Sequence, residues 1–534
     1  MDKTESSQEK FPGCSDPLVG ITARPTSAVD SLPSISHIFG IACQIQSLRM
    51  GFSQTASCDS SSTSSTSTEV DKSELTKVET KKQQLSDVAM SKAVTSDKIW
   101  WIHGNGYDLS KFVERHPGGK EAILLGRGRD CTALFESYHI FSNEHWKVLD
   151  KFCVVKNHKS SDRKKDAFYE ILKERAASVL KGKGIDPVND RGANIGRSLH
   201  YLVIFGAWLT SGYWHVKGSV LGSFLFAIFG WLMGALGHDA GHFAASRQAW
   251  VNEFGVWAMS LICNPIVWQH QHTYAHHSFT NEFDKDPDLH HFDQLLRVHK
   301  NIRHRSIHNH QTSRLFVALA YALVCFGTCF WIPWGVLASG CLHGIVEWQD
   351  RDRPSRVIGL KLHWYTYVFV IMVLPFFQHE SKMTAAFAVY IHITTIGIIF
   401  AIFSQINHLN EPSLESDLQT RKTCTASRSK IVQDSWAAAQ VETSNNFASG
   451  SFLWHFLSNG LNHQIEHHLF PGLNHGHLHH IVPIVRDTCI EHGVVYKSYD
   501  TWGDLMNATL EWYEKLSVDE RPKRYFSSSK VAAE

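Results

Sequence analysis

Apolar residues in this chain are concentrated in long runs that form two pairs. Residues 198–216 and 219–236 are runs of 19 and 18 mostly apolar residues, separated by only two positions. Residues 357–377 and 383–404 form a second pair of the same kind. Because about 20 apolar residues in a helix cross the hydrocarbon core of a bilayer, each pair predicts a transmembrane hairpin.

A further apolar stretch, residues 315–346, lies between the two pairs and is interrupted by Pro333. Because proline disrupts the interior of a helix, this stretch predicts either a third hairpin of short helices or a re-entrant or interfacial segment. Both alternatives return the chain to the side from which it came. The pattern therefore predicts an all-α membrane domain over residues 198–515, with four or six transmembrane helices and the same sidedness for both counts.

Polar segments flank the membrane part, so the chain is predicted to be multi-domain. Residues 1–97 contain a Ser/Thr-rich run that cannot bury enough apolar surface to fold, and their start has no apolar signal, so we expect a disordered leader without a secretory signal. Residues 98–160 are predicted to form a small α+β module. Residues 161–197 contain an amphipathic linker helix, and residues 516–534 form a C-terminal tail.

The 34 histidines stand out against a balanced charge. Lys plus Arg total 52 and Asp plus Glu total 51, so the net charge of +1 offers no basic excess for binding nucleic acid. Imidazole is the commonest protein ligand for transition metals. The histidines therefore direct the search for chemistry toward metal sites.

The first candidate site lies in the soluble module. His116 opens the sequence His-Pro-Gly-Gly, and His139 follows 23 residues later, after a D-x-T-x-x-F-E pattern at residues 130–136. Two imidazoles from different helices can clamp a haem iron from both faces, and an iron without an open position carries electrons rather than oxygen. Gly118 and Gly119 would let the backbone pass close to the porphyrin edge.

The alternative is that His116 merely precedes a Pro-Gly turn. The pattern resembles the cytochrome b5 domain, which implies that His116 and His139 are the axial ligands of haem b.

Three further motifs accompany the predicted membrane hairpins. In the first, His238 and His242 are four residues apart and share one face of a helix, and Asp239 could orient one of these imidazoles. In the second, HxxxHH, His270 is an alternative ligand to the first histidine. The second and third motifs contribute these candidates: His272, His276, His277, Gln464, His467 and His468.

Each of these motifs alone is weak, because a histidine pair is often a solvated surface or a zinc site. Three of them in one chain, on the same predicted side of the membrane, are much more specific. Imidazole-rich coordination suits iron, zinc, copper or nickel. An electron-carrying module in the same chain favours iron over zinc, because zinc has no redox chemistry.

Together these motifs resemble a front-end fatty acyl desaturase, in which a cytochrome b5 domain is fused to a membrane di-iron desaturase. The resemblance covers residues 99–512 and is most specific at QIEHHLFP, residues 464–471, where front-end members have Gln in place of the first His. His408, just after the last predicted span, matches a further ligand position, although it could instead cap an interfacial helix. The resemblance implies two non-haem irons held by His238, His242, His272, His276, His277, His408, Gln464, His467 and His468.

The resemblance also implies roles for neighbouring residues. Asp239 and Glu466 would orient ligand imidazoles, and Gln464, a weaker donor than imidazole, would tune one iron or lie near the substrate. The second motif departs from many members by having three residues, rather than two, before its HH pair, so His270 remains an alternative. The histidines that follow the third motif have no ligand counterpart, and we expect structural or surface roles for His475, His477, His479 and His480.

The function implied by the resemblance is the insertion of a cis double bond into a long-chain, already unsaturated fatty acyl group. The reaction would consume O2 and electrons that pass from NAD(P)H through a cytochrome b5 reductase and haem b. The acyl group would be carried on CoA or a glycerolipid and held between membrane helices. We expect a multi-pass protein of the endoplasmic reticulum membrane, with the haem module and a cap that carries the histidine motifs on the cytosolic face.

Several alternatives remain open at this point. A sphingolipid long-chain-base desaturase shares the Gln-containing motif, and a b5-fused fatty acyl hydroxylase is close in chemistry. A membrane zinc hydrolase built on the first motif belongs to a different class, but it would leave the haem module without a use. An electron carrier with a membrane anchor would need only one helix.

Overall fold

The computed structural model describes residues 98–156, 165–414 and 429–518. These residues belong to one compact unit, Gln83–Glu534. The predicted leader and nearly all of the predicted C-terminal tail lie outside the described residues.

Residues 98–156 form the small α+β module that the sequence predicts. Its elements are β1 (Trp100–Ile102), β2 (Asn105–Tyr107), α1 (Lys120–Leu124), α2 (Thr132–Tyr138), α3 (Glu144–Leu149) and β3 (Cys153–Val155). The strands form an antiparallel sheet in the order β1-β2-β3. Trp100 and Ile102, two positions apart and therefore on one face of β1, are buried with Ile123 and Leu124 of α1. We call residues 98–156 the haem module.

The rest of the described chain is mostly helical. Its α-helices are α4 (Ala167–Gly182), α5 (Ile195–Val216), α6 (Val220–Gly241), α7 (Ala249–Gly255), α8 (Pro265–Trp268), α9 (His277–Phe279), α10 (Arg314–Ser339), α11 (Pro354–Gln378), α12 (Lys382–Gln405), α13 (Glu411–Leu414), α14 (Trp436–Glu442), α15 (Phe452–Leu457), α16 (Gln464–Leu469), α17 (His475–Leu478), α18 (Val482–His492) and α19 (Trp502–Leu516). Short strands pair as β4 (Cys341–Leu342) with β5 (Val346–Glu347), antiparallel, and β6 (Asn446–Phe447) with β7 (Ser498–Tyr499), parallel.

The linker helix α4 begins at Asp166, whose carboxylate accepts a hydrogen bond from the backbone N–H of Tyr169 at 3.0 Å. A helix start of this kind satisfies one of the N–H groups that the first turn leaves without a partner. The helix is amphipathic, as predicted, but its apolar face is not free. Phe168 and Tyr169 are buried against the third-motif segment, and the Tyr169 hydroxyl donates to the carbonyl of Leu469 at 2.5 Å.

Four described helices are long and apolar enough to cross a membrane, namely α6, α10, α11 and α12. The predicted number of four is confirmed, but the set differs from the predicted one. Helix α5, with 22 residues, is the expected partner of α6. It is not among the four, because its Tyr, Trp, His and Gly residues lower its mean hydropathy. Its outer face is nevertheless apolar, with Leu202 67% exposed and Leu209 52% exposed, as expected for a helix that faces lipid.

Helix α10 corrects the expectation for the third apolar stretch, because residues 314–339 form one helix of 26 residues and not a hairpin. Pro333 follows a π-helical segment, Gly327–Trp331. A π-helical turn shifts the hydrogen-bond pattern, and a proline beside it removes less from the helix than one within a regular α-helical turn.

Both ends of α10 lead to polar parts of the protein. Just before it, Gln311 donates to the carbonyl of Tyr513 in α19 at 2.5 Å. Beyond its other end, the carbonyl of Glu347 accepts a hydrogen bond from Arg129 of the haem module at 2.7 Å. Both ends of this candidate membrane-spanning helix are thus anchored by hydrogen bonds to other parts of the protein.

Two π-helical segments lie next to the histidine motifs. One, Gln269–His276, connects α8 to α9 and contains most of the second motif. The other, Ala401–Gln405, ends α12 just before His408. π-Helical turns occur mostly as local features at functional sites, and here they are found where the chain leaves the helical bundle for the histidine-rich part.

Candidate haem and metal sites

His116 and His139 face each other in the haem module. Their ring centroids are 6.1 Å apart, and two imidazoles bound to one iron through nitrogens about 2 Å from it have centroids about 6 Å apart. Each ring uses Nδ1 for a hydrogen bond to a backbone carbonyl, that of Gly119 for His116 and that of Phe135 for His139. Each Nε2 is thereby left for a ligand, so this pair fits a haem iron.

The electrostatics of this pair suit neutral ligands. Burial is the main cause, together with the neighbouring rings of His145 and His116 and the charge of Arg191, that lowers the pKa of His139 to about 3. Burial also lowers the pKa of His116. Both imidazoles are therefore neutral at pH 7 and have a free lone pair for iron.

The two glycines after His116 have roles that differ from the expected one. A Cβ on Gly118 would lie 2.9 Å from Cε1 of His116, so this glycine leaves room for the ligand ring. Gly119 has φ of +95°, and a Cβ there would lie 2.8 Å from the Cβ of Ala249 in α7. Gly119 therefore allows the haem module to approach the rest of the protein.

The second candidate site is a histidine cluster that joins all three remaining motifs. One group, which we call the first centre, brings side-chain nitrogens within 4.8 Å of one another from His238, His242, His272 and His467. Helix α6 supplies the first two residues, the π-helical segment supplies His272 and helix α16 supplies His467. Residues as far apart as 238 and 467 thus converge where α6 ends.

An adjacent group, which we call the second centre, contains His276, His408 and His468. Gln464 completes it, because its side-chain amide lies 2.9 Å from Nε2 of His408 and 3.2 Å from Nε2 of His468. A half-turn of this amide would present its oxygen at the same place. His408 therefore lies in the cluster and does not merely cap a helix.

His277 lies between the two centres. Its Nε2 is 3.2 Å from Nε2 of His272, and its ring is stacked on His468 with a centroid distance of 4.2 Å. All nine residues that the sequence suggested as metal ligands are thus brought together.

The distances between nitrogens in the cluster fit metal ions. Nε2 of His272 lies 3.4 Å from Nε2 of His238 and 3.2 Å from Nε2 of His277. Two nitrogens bound to one ion at about 2.1 Å lie about 3.0–3.4 Å apart for ordinary coordination angles. Several buried ring nitrogens have no hydrogen-bond partner among the described residues: Nε2 of His242, Nδ1 of His277, and both nitrogens of His467. Buried polar atoms normally have partners, so these atoms are free for a ligand.

The outer nitrogens of the other rings are held by acceptors. A metal-binding imidazole usually donates its second N–H in this way, which fixes the ring and its tautomer. The Nδ1 distances are 3.4 Å from His272 to Asp288, 2.9 Å from His276 to Asp286, 2.9 Å from His408 to the carbonyl of Thr443, and 2.8 Å from His468 to the amide oxygen of Gln440. Nε2 of each of these rings is thereby directed into the cluster.

The charge states of the rings differ between neighbours. Burial lowers the pKa of His242, His467 and His468 well below the ordinary value, so these rings are neutral. Burial also acts to lower the pKa of His276, but the carboxylates of Asp286 and Asp288 outweigh it and raise this pKa to about 9. The aspartates therefore place negative charge beside the second centre, which favours a bound cation.

The π-helical segment explains the unusual spacing of the second motif. In a π-helix the backbone bonds join residues five apart, and His272 and His277, five apart, are neighbours in the cluster. The extra residue before the HH pair is accommodated by the wider turn. His270 points elsewhere, because its Nε2 pairs with Asp350 at 2.9 Å, and it belongs to none of the histidine groups.

His475 is a cluster residue whose position sequence reasoning missed. It is 2% exposed, its Nδ1 lies 2.5 Å from Asp239, and its buried Nε2 has no partner among the described residues. Its ring centroid is 4.5 Å from that of His467 and 5.1 Å from that of His238. Asp239 thus orients an imidazole, as expected, but the imidazole belongs to His475 and not to the first motif.

The other three histidines after the third motif lie away from the cluster. His477 bonds the carbonyl of Gly192 at 2.8 Å through Nε2. His479 is exposed and His480 is partly exposed. Structural and surface roles, as predicted, suit these three residues.

Glu466 does not contact a ligand imidazole. Its carboxyl accepts hydrogen bonds from the Asn446 amide and the Tyr496 hydroxyl, both at 2.8 Å. Burial raises the pKa of Glu466 to about 7. Its contacts join α16 to the β6 segment, so it acts on the position of the helix that carries the third motif.

A mostly apolar cavity opens onto the cluster. Its polar end is lined by His238, His272, His276, His408 and Gln464. Its other walls include Trp231, Met259, Ile262, Phe400 and Leu461, which come from the helical bundle and the cap. A pocket that is mostly apolar with a few convergent polar groups is the usual form of a site for a hydrophobic ligand.

The haem module is docked on the part of the protein that contains the cluster. Arg353 and Glu121 form an ion pair across the boundary, and Arg127 pairs with Asp352 at 2.6 Å. At the centre of the contact, the hydroxyl of Tyr138, the residue before His139, lies 2.6 Å from Nδ1 of His242. Tyr138 therefore connects the candidate haem ligand His139 with His242 of the first centre.

Comparisons with known proteins agree with these observations. The family model described as "Fatty acid desaturase" matches residues 212–500, and the one described as "Cytochrome b5-like Heme/Steroid binding domain" matches residues 84–157. No solved structure matches the chain.

Similar curated proteins cover most of the chain. An "Acyl-lipid omega-13 desaturase" of Chlamydomonas reinhardtii is 28% identical, over 74% of this chain and 89% of the relative. An "Acyl-lipid (8-3)-desaturase" of Mortierella alpina is 29% identical, over 79% and 94%. A "Delta(5) fatty acid desaturase A" of Dictyostelium discoideum is 27% identical, over 82% and 94%.

Proposed function

The chain belongs to the fatty acid desaturase family and begins its matched part with a cytochrome b5-like domain, and from this premise we propose that it is a front-end desaturase of fatty acyl lipids. Membership makes it an oxidoreductase, so the zinc hydrolase and the simple electron carrier are no longer needed as explanations. The observation that carries the proposal is the convergence of nine widely separated residues in one cluster, five of which line the polar end of one apolar cavity. Relatives named for Delta(5) and (8-3) desaturation support the front-end assignment.

The proposed metal ligands follow from the two centres. One iron would be held by His238, His242, His272 and His467, and the other by His276, His408, His468 and Gln464, with His277 between them. We add His475 to the residues around the first centre, because its free Nε2 faces His238 and His467. Bound iron would supply, from O2, the oxidising power that removal of hydrogen from an unactivated methylene requires.

The chain's own residues would prepare the site for this chemistry. Asp286 and Asp288 hold the rings of His276 and His272 in fixed orientations. The apolar walls of the cavity would bind a long acyl chain and exclude water from it. A methylene has no acidic proton, so no general base is needed.

The haem module would deliver the electrons. His116 and His139 would hold haem b and leave its iron without an open position. A cytochrome b5 reductase would be the donor to this haem, with NAD(P)H as the source. Docking of the module beside the first centre supports transfer within one chain.

The proposed location is the endoplasmic reticulum membrane, with the haem module and both metal centres on the cytosolic face. The C-terminal ends of α6 and α12 both lead to the cluster, so these two helices point the same way. A protease protection assay on intact microsomes tests this placement. Cleavage within the haem module without detergent is expected, and protection of this module would contradict the proposal.

The proposed reaction is tested by expression in yeast with a panel of fed fatty acids of different length and unsaturation. Gas chromatography with mass spectrometry should detect a new cis double bond between an existing one and the carboxyl end. Analysis of sphingoid bases in the same cells covers the other desaturase class. Hydroxylated fatty acids without new double bonds, or new double bonds only in sphingoid bases, would overturn the proposal.

A further inference from the structure

Tyr138 occupies a singular position between the two redox sites. It is the last residue of α2, and the haem-ligand candidate His139 follows it directly. Its hydroxyl lies 2.6 Å from Nδ1 of His242, a member of the first centre. The side chain of Tyr138 thus connects the candidate haem ligand His139, its neighbour in the chain, with His242 of the first centre.

The ring of Tyr138 is held firmly in this contact. It lies nearly parallel to the ring of His242, at 13° and a centroid distance of 6.4 Å, and it packs edge-on against Phe243. A Cβ on Gly472, near the third motif, would lie 3.3 Å from Cδ1 of Tyr138. The ring is therefore enclosed by residues that border the first and third motifs.

The hydrogen bond holds His242 through Nδ1. Nε2 of His242 is buried and has no partner among the described residues, so it is the nitrogen left for a metal. A neutral ring that binds through Nε2 keeps its proton on Nδ1, and this N–H donates to the Tyr138 hydroxyl oxygen. Asp286 plays the corresponding part for His276, but the partner of His242 comes from the haem module.

Other contacts hold the module in this position. Arg127 donates to Asp352 at 2.6 Å and Arg129 to the carbonyl of Glu347 at 2.7 Å. Tyr274, in the π-helical segment, donates to the carbonyl of Asp130 at 3.0 Å. The contact between Tyr138 and His242 is thus part of a broad docked surface and is not an isolated approach.

We propose that Tyr138 is a positioning residue that couples the haem to the first centre, by orienting His242 and by providing the path for the electron. The proposal rests on the proposed function. In each transfer one electron leaves the haem held by His116 and His139, which is oxidised, and one electron enters the metal centre, which is reduced. Tyr138 keeps its proton and is neither oxidised nor reduced.

The path through Tyr138 consists of covalent bonds and one hydrogen bond. It runs along the covalent bonds from His139 to the adjacent side chain, crosses one hydrogen bond, and reaches the ring of His242. Replacing Tyr138 with Phe removes only the hydroxyl and preserves the ring that packs against Phe243. The substitution therefore removes the hydrogen bond and preserves the packing that docks the module, so the effects of the two can be distinguished.

The test is the rate of haem reoxidation in the purified full-length holoenzyme without oxygen. The haem is reduced by an added photoreductant, a flavin with a sacrificial amine donor, under a light pulse, and its absorbance is followed as the electron moves to the non-haem iron. We expect Tyr138→Phe to slow this step roughly 10-fold or more, as loss of a hydrogen bond to a metal ligand commonly does to activity. The haem spectrum and the extent of haem reduction should remain those of the parent.

Tyr321→Phe is the control, since it also removes one buried tyrosine hydroxyl, but this hydroxyl bonds that of Tyr513, outside the haem module and the histidine cluster. Its reoxidation rate should equal that of the parent. Equal rates for Tyr138→Phe and the parent, or equal slowing by both substitutions, would overturn the proposal. The iron content of every sample is measured, and slowing that disappears when iron is restored to the parental amount also overturns it.

Failure of the proposed function has a different signature. In that case the parent enzyme makes no double bonds, while its haem is still reoxidised at a rate that depends on non-haem iron and on Tyr138. If the parent makes double bonds but its haem reoxidation is unaffected by Tyr138→Phe, the desaturase assignment stands and the role of Tyr138 is rejected.

Discussion

The two candidate metal centres consist of the same kind of side chain but are supported in different ways. In the second centre, the outer nitrogens of His276, His408 and His468 are bonded to partners from the same part of the chain, among them Asp286. In the first centre, His242 is held by Tyr138 of the haem module. His467 has neither ring nitrogen bonded to a described residue.

This difference suggests that the second centre is completed by the fold of the desaturase domain alone, whereas the first is completed only when the haem module is docked. A carboxylate that bonds an imidazole strengthens the ring as a ligand, and it does so for the second centre through Asp286. In the first centre, His272 has such a carboxylate, Asp288, at 3.4 Å, whereas His242 is bonded to Tyr138 and His467 to no described residue. The geometry of the first centre thus depends on the docked haem module. The second centre is supported by its own domain and should bind metal more tightly.

The largest effect is expected from removing the ring of His467, because neither of its nitrogens has a hydrogen-bond partner among the described residues. His467→Ala should lower product formation roughly 100-fold or more, above the range for residues that only orient ligands. Non-haem iron should fall, while haem absorbance stays unchanged. Product analysis, iron analysis and haem spectra are compared with those of His479→Ala, whose exposed ring lies outside the cluster. Parental product yield in His467→Ala would remove the first centre from the mechanism.

The next effect tests the support of the second centre. Asp286→Asn replaces the buried carboxylate that fixes His276, so iron should be held roughly 10–100-fold less tightly. The rate of iron loss to a chelator measures this change. Asp284→Asn, in the same loop but exposed, should behave like the parent. If both variants keep iron equally well, the carboxylate does not distinguish the two centres.

A smaller effect is expected from His475, the residue beside the first centre. His475→Ala should increase the rate of iron loss about tenfold, because one imidazole leaves the group around His238 and His467 while the other ligands remain. X-ray absorption at the iron edge should show fewer imidazole neighbours. His480→Ala is the control on the same segment. An unchanged absorption spectrum in His475→Ala would mean that His475 only packs against Asp239.

The smallest effect should come from Gln464 in the second centre. An amide is a weaker donor than an imidazole, so Gln464→Ala should weaken iron binding only about threefold. Gln464→His places an imidazole at the same position and should hold iron at least as well as the parent. Iron titration of the three proteins gives the order. A much larger loss in Gln464→Ala than in His475→Ala would reverse the proposed difference between the centres.

The sequence predicted the residue types of both sites because their chemistry is written in local spacing. The spacing of His116 and His139 and of the histidines in the three motifs could be read from the sequence, whereas His408 and Gln464 followed from the resemblance to the desaturase family, and the structure brings these residues together. The choice between His270 and His272 could not be made in this way. It depends on a π-helical turn and on Asp350, which pairs with His270 across 80 positions.

Other features depended on contacts between distant parts of the chain. Asp239 was recognised as an orienting residue, but its partner His475 lies 236 positions away and was assigned to the surface. The single helix α10 could not be distinguished from a hairpin, because Pro333 predicts a break unless the preceding turn is already widened. Tyr138 carried no signal at all, since its role depends on where a separate module docks.

The wide turn of Gln269–His276 has a consequence for how distant relatives are aligned. A helix that can absorb one additional residue by changing its pitch keeps the same atoms facing a metal while the count between them changes. Evolution can therefore insert or delete a position here without dismantling the coordination. Searches for such sites should compare the directions of the side chains, because a motif with a fixed spacing between histidines would miss true family members.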